Sequence, residues 1–240
     1  MANEQDSDFM QYLARSGLKP EEPLPSIQIL AKTLGISVGK LREQLEVART
    51  LGYIDIRPKS GMQRRKYSFY PAMNLSLRYA LSTDPGYFNQ IEQLREHLEA
   101  CFWYEAVGQL EEGEKDHLRR LLEKAWMLLN GSPITIPHDE HRDLHLTIYS
   151  RLDNVFVNGI LEAYWDGYES VGLNRYADYV YFKAVWTYHE QMVESILNNE
   201  YDSGYRALIE HFDILHRRPS QEAMEANTVI ENPLSSAQHK

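Results

Sequence analysis

The sequence predicts a mainly α protein: an N-terminal winged helix-turn-helix of α+β type, then an all-α bundle of six to seven helices. Three observations carry that expectation. Residues 24–61 contain two short helical patterns, a tight turn and a basic alternating stretch. Positive charge gathers in the same region while the remainder is acidic. From residue 87 to about 217, apolar positions recur at helical spacing with no convincing strand alternation.

The first helix of the pair begins after Ser26, which precedes Ile27, Leu30, Ala31 and Leu34, one apolar face. A serine there accepts from the free N–H groups of the first turn. Gly35 stops the helix, because glycine adopts the positive φ found just past a C-terminus. Ser37 caps a second helix with apolar positions Leu41, Leu45, Ala48 and Leu51, ended by Gly52. Two helices joined by so short a turn have helix-turn-helix spacing. The second would enter the DNA major groove with its N-terminal residues nearest the bases, which selects Ser37, Val38, Gly39, Lys40 and Arg42. Tyr53 to Arg57 then alternate, and Pro58, Lys59, Ser60 and Gly61 make a turn before Gln63-Arg64-Arg65-Lys66. This is a hairpin with a cationic tip, suited to phosphates and the minor groove.

The whole chain has net charge −10, which by itself argues against nucleic acid. Residues 30–70 nevertheless carry nine Lys/Arg against three Asp/Glu, whereas residues 71–240 carry 14 against 27. That asymmetry is the footprint of a DNA-binding head on a non-binding body. At 240 residues and 43% hydrophobic content there is room for two packed domains. No apolar run approaches 18 residues and the N-terminus is polar, so neither a membrane span nor a signal peptide is expected. The single cysteine, Cys101, lies in an apolar helical stretch and reads as a buried structural thiol in a cytoplasmic protein.

The expected domains are 1–70 for the head, 71–86 for a linker holding one short helix, 87–218 for the helical domain, and 219–240 for a disordered tail rich in polar residues. Helices are predicted near 87–111, 114–130, 138–151, 153–172, 176–199 and 201–217, with connections short enough for antiparallel neighbours. No phosphate-binding loop, dinucleotide glycine pattern, nucleophile elbow or CxxC occurs.

His141 and His145 stand four apart on one helix face and can reach a single ion, with His138 one turn earlier. His189 and His211 lie on two helices joined by a short turn, so positions about 11 residues either side of it can face each other. Four imidazoles from three helices can therefore converge. From spacing alone, a histidine on such a face is as a rule a satisfied core or surface residue. Arg95 can pair with Glu92 or Glu99 on the helix surface, or with a carboxylate ligand through its fork of donors.

The head resembles the GntR family of bacterial transcription factors through Leu24-Pro25-Ser26, Leu30-Ala31, Leu34-Gly35, Ser37, Arg42-Glu43, Leu45, Gly52 and Lys59-Ser60-Gly61. It departs at Gln28, where arginine is usual, and at Val38-Gly39-Lys40, where Arg-Thr-Thr is usual. The resemblance adds Ser26 and Gln28 to the candidate DNA contacts. The helical region resembles the FCD type of ligand-binding domain of the FadR-like branch through Leu94-Arg95, Glu99, Asn154, His189 and His211. That resemblance implies a divalent metal on an aspartate and three histidines, with His145, His189 and His211 in the histidine positions and His141 where the aspartate would stand. Four histidines suit zinc first and nickel second, better than manganese. It also implies a small organic acid at or near the metal, with Arg95 and Asn154 as effector contacts.

The expectation is a cytoplasmic, homodimeric, metabolite-responsive regulator, a repressor on a palindromic double-stranded operator, and not an enzyme. The alternative is a metal-dependent enzyme acting on a small acid, with a vestigial head and with Glu140 and Asp143 nearest the histidines.

Overall fold

The computed structural model describes residues 7–57, 61–170 and 179–216. Two compact units divide it, the first built on the chain up to Tyr79 together with Asn154–Ala163, the second on the remainder.

The first unit opens with α1 (Asp8–Arg15), which the sequence reading did not anticipate. Ser7 caps it, its hydroxyl accepting from the Met10 N–H, and Phe9 and Leu13 anchor one face in the core. The pair follows as α2 (Ile27–Leu34) and α3 (Val38–Thr50). Ser26 and Ser37 both sit in extended backbone and accept from Ile29 N–H and Lys40 N–H. Gly35 closes α2 at φ 66° with its N–H on the Ala31 and Lys32 carbonyls, the left-handed cap that a side chain would strain. Leu51 caps α3, and Gly52 just past it ends the helix at φ 75° with its N–H on the Arg49 carbonyl.

Strands β1 (Ile54–Arg57) and β2 (Gly61–Arg64) pair antiparallel, with Ile54 opposite Arg64 and Ile56 opposite Met62. Pro23 adds a bridge to Gln63. Leu24, Leu30, Leu41, Leu45, Ile54 and Met62 make the core with Phe9 and Leu13. The segment expected to be a linker with a short helix carries α4 (Tyr70–Thr83), fourteen residues long. The expected tail, residues 219–240, lies outside the described residues.

The helical elements are α5 (Tyr87–Gly108), α6 (Glu112–Leu129), α7 (His138–Ile148), α8 (Val155–Ser170), α9 (Tyr179–Leu197) and α10 (Tyr201–His216). In the second unit α9 packs along α10, α6 against α7 and α9, and α10 against α5. The α9–α10 approach is close because residue 204 has no side chain: a Cβ there would stand 2.1 Å from Ser195 Oγ and 2.6 Å from Trp103 Cζ2. Trp103 is buried and its indole N–H donates to the Tyr201 carbonyl, which ties α5 to the start of α10. Cys101, expected to be a buried thiol, is exposed. Two positions along α5 separate it from Trp103, enough rotation to put one outside and the other inside. Among the described residues no helix is long and apolar enough to cross a membrane.

Candidate functional site

In the first unit α3 presents Gly39, Lys40 and Arg42 to solvent, while Val38 is half-buried against the core. Gln28, Ser26 and Ser37 are exposed, with the two serine hydroxyls engaged as caps. Gly61 is exposed at φ 78° at the start of β2. Lys59 and Ser60, expected at the wing tip, lie outside the described residues. The Lys40 ammonium meets the Asp8 carboxylate at 2.8 Å, a contact the sequence reading missed together with α1 itself. Asp8 is held below the usual carboxylate range by its hydrogen bonds from Lys40 and Gln44.

In the second unit the structure brings together His141 and His145 of α7, His189 of α9 and His211 of α10, all buried. One ring nitrogen from each lies within 4.8 Å of the others. His138 does not join them; it is half-buried with its ring 6.0 Å from that of Phe182. The helical spacing puts His141 and His145 one turn apart, and the three-residue turn between α9 and α10 folds His189 against His211 with ring centroids 4.5 Å apart. Trp165 meets His141 edge-on and His145 at a tilt, with ring centroids at 4.7 and 5.0 Å, and Trp186 lies 4.8 Å from His189.

Burial behind this aromatic wall has an electrostatic consequence. Burial, reinforced by neighbouring imidazoles, pushes His141 and His189 well below the ordinary 6.5, so both are neutral at neutral pH with lone pairs available. The Nε2 atoms of His145 and His189 stand 3.1 Å apart. Tetrahedral zinc with bonds of about 2.0–2.1 Å sets its ligand nitrogens roughly 3.3 Å apart, so this pair is already near coordination spacing. The buried Nε2 of His141 has no hydrogen-bond partner among the described residues, a cost that a cation would remove. The donor set fits a divalent metal.

Behind the quartet is a buried charge network. Glu99 Oε1 lies 3.2 Å from His145 Nδ1, and Glu99 Oε2 accepts from Arg95 Nη1 at 2.9 Å. Burial raises the Glu99 carboxyl, but Arg95 and His145 outweigh it and hold the group ionised, below its ordinary value. A carboxylate behind a ligating imidazole fixes its tautomer and turns the other nitrogen to the metal. Arg95 is fully buried, with its guanidinium 4.9 Å from the rings of both Tyr164 and Phe212. The Arg95–Glu99 ion pair is therefore a core feature rather than a helix-surface one. Arg95 Nε and Nη2 have no hydrogen-bond partner among the described residues, although Glu96 Oε1 approaches Nη2 at 3.8 Å. Asn154, expected as an effector contact, caps α8: its amide oxygen accepts from Phe156 and Val157 N–H. Glu140 is buried and committed to Lys124 at 2.6 Å, and Asp143 faces Arg142 at 3.6 Å.

The FCD domain family model matches residues 90–214. No curated protein matches the chain in sequence. The solved structure of Streptococcus agalactiae GntR is similar with a TM-score of 0.63 at 15% identity, covering 87% of this chain and 95% of that one. E. coli McbR/YncC is 18% identical over 93% of this chain and 92% of that one, with a TM-score of 0.42. A GntR family transcriptional regulator from Pseudomonas syringae pv. tomato is 14% identical over 94% and 84%, with a TM-score of 0.39. The first likeness is one of fold; the other two superpose too loosely to carry an argument.

Proposed function

Because this chain belongs to the FCD domain family, we propose that it is a DNA-binding transcriptional regulator whose helical domain holds a divalent metal and senses a small carboxylate. The observation that carries this reading is the buried quartet of His141, His145, His189 and His211, four imidazole donors gathered within 4.8 Å. The fold shared with the S. agalactiae GntR supports the regulatory half, since the first unit is a winged helix-turn-helix. An all-nitrogen set favours zinc, then nickel, over manganese or magnesium. When bound, the metal supplies a positive centre on which a carboxylate oxygen can rest. Arg95, with two donor atoms unspent in a buried setting, supports the acid as the effector class. Glu99 stands 3.2 Å behind His145 Nδ1 as a carboxylate partner for that imidazole and keeps Arg95 from being an isolated buried charge.

On DNA the N-terminal end of α3 would enter the major groove, with Arg42 and Lys40 as base or phosphate contacts and residues 59–61 as the wing. Two chains would grip a palindromic operator, since two-fold protein symmetry is mirrored in the site. A carboxylate effector would release that grip, making the protein a repressor, provided it prefers one of two conformational states. The test is direct. Purified protein should carry about one zinc per chain, select palindromic fragments from genomic DNA, and lose them when a carboxylate that raises its melting temperature is added. Protein that retains neither metal nor DNA would overturn the reading.

A further inference from the structure

The contact between α1 and the recognition helix has a consequence for how DNA is chosen. Ser7 fixes the first turn of α1 through its bond with Met10 N–H at 3.3 Å, and buried Phe9 pins that turn to the core. Asp8, placed by this anchor, takes the Lys40 ammonium at 2.8 Å and the Gln44 amide N–H at 3.1 Å on the same carboxylate oxygen. The Gln44 carbonyl accepts from Phe9 N–H at 2.9 Å. Lys40 and Gln44 are one turn apart on one side of α3, so α1 engages both. Gln44 has spent both ends of its amide and is unavailable for the bidentate reading of adenine that glutamine can perform. Arg42, exposed on the same N-terminal turn as Lys40, forms no ion pair among the described residues.

We propose that Asp8 is a specificity-determining residue of the DNA interface: it occupies the Lys40 ammonium so that a phosphate alone does not recruit it. The proposal rests on the DNA-binding reading above. A lysine is a compact, mobile charge that pairs with any phosphate and so adds affinity without sequence information. Paired with Asp8, Lys40 contributes no net charge to a non-specific duplex. The pair is exposed on both sides, 55% for Lys40 and 42% for Asp8, and exposed pairs hold by only about twofold to fivefold. A well-placed acceptor at the operator, such as a guanine edge beside a phosphate, can therefore displace the carboxylate. A phosphate met at random gains too little by doing so.

Binding of the full-length chain to a short random-sequence duplex, measured across a salt series, tests this. Asp8→Asn keeps the shape and the Gln44 contact and removes the charge. It should tighten non-specific binding by about twofold to fivefold per chain. The plot of log affinity against log salt should steepen by about 0.9 per chain, the signature of one added phosphate contact. In a Lys40→Met background the same change should move neither quantity. An unchanged slope in Asp8→Asn overturns the proposal, as does an equal steepening when Lys40 is absent, which would mark a general charge effect. If the parent protein binds the duplex at no salt concentration, the DNA-binding reading itself fails and takes the proposal with it.

Discussion

Removing His189 and His211 together, as His189→Ala/His211→Ala, takes two of the four donors from the quartet and leaves only the α7 pair. Both side chains are fully buried, so the substitution also opens a cavity and lowers the stability of the apo protein. The informative quantity is therefore the zinc-induced change in melting temperature, measured on each protein against its own metal-free form. At a free zinc concentration of about a thousand times the dissociation constant, binding to the folded state alone stabilises it by about 4 kcal/mol. For a protein of this size each kcal/mol moves the melting temperature by roughly 2–4 °C, so the parent should rise by roughly 8–16 °C. Two imidazoles without the remaining donors bind far more weakly, and the variant should rise by less than about 1 °C at the same zinc concentration. Elemental analysis gives the parallel count, about one zinc per parent chain and none per variant chain. A double variant that keeps stoichiometric zinc, or whose melting temperature rises as far as the parent's, would refute the quartet as the site.

Four further outcomes can be checked. Arg42→Ala should weaken specific DNA binding by about 1–3 kcal/mol, measured by fluorescence anisotropy on a selected fragment; unchanged affinity at moderate salt would remove α3 from the groove. Glu99→Gln should lower zinc affinity about ten- to hundredfold in a competition with a chromogenic chelator, because His145 loses the carboxylate behind its Nδ1. Gly204→Ala should cost about 1–3 kcal/mol in urea unfolding, since its Cβ would collide with Ser195 and Trp103 where α9 meets α10. For the metal-free protein, His141 and His189 titrate well below 6.5 when folded and near 6.5 when unfolded. The unfolded chain then binds more protons below pH 6.5, so stability should fall on acidification by about 1.4 kcal/mol per pH unit for each group and be insensitive to them above it. A flat profile from pH 7 to pH 5 falsifies the neutral assignment.

Much of the fold is legible because local rules and global packing agree. Ser26, Gly35 and Ser37 act at helix termini through backbone bonds that depend on a few neighbouring residues, so the α2–α3 pair could be read directly. The helices of the second unit carried long apolar periodicity, and their bounds differ from expectation by only a few residues. Helix α1 escaped because eight residues with two buried positions, Phe9 and Leu13, make too short a pattern to stand out. Its signal was Ser7 before an acidic residue and an i, i+4 apolar pair. Cys101 was misplaced for a related reason: α5 is apolar around much of its circumference there, so composition does not say which side faces in.

Read along the chain, the residues already separate a basic head of two capped helices and a hairpin from an acidic helical domain with four histidines at spacings that allow them to meet. Caps, periodicity and charge are short-range properties, and they survive being read along a line. Which side chains share a space is a matter of three-dimensional packing. It set Glu99 against His145, buried Arg95 between Tyr164 and Phe212, spent Asn154 on a helix cap, and laid Asp8 on Lys40 across 32 positions of chain. Those pairings depend on helix rotation and on close approaches such as that permitted at Gly204, which three-dimensional packing sets and linear spacing does not.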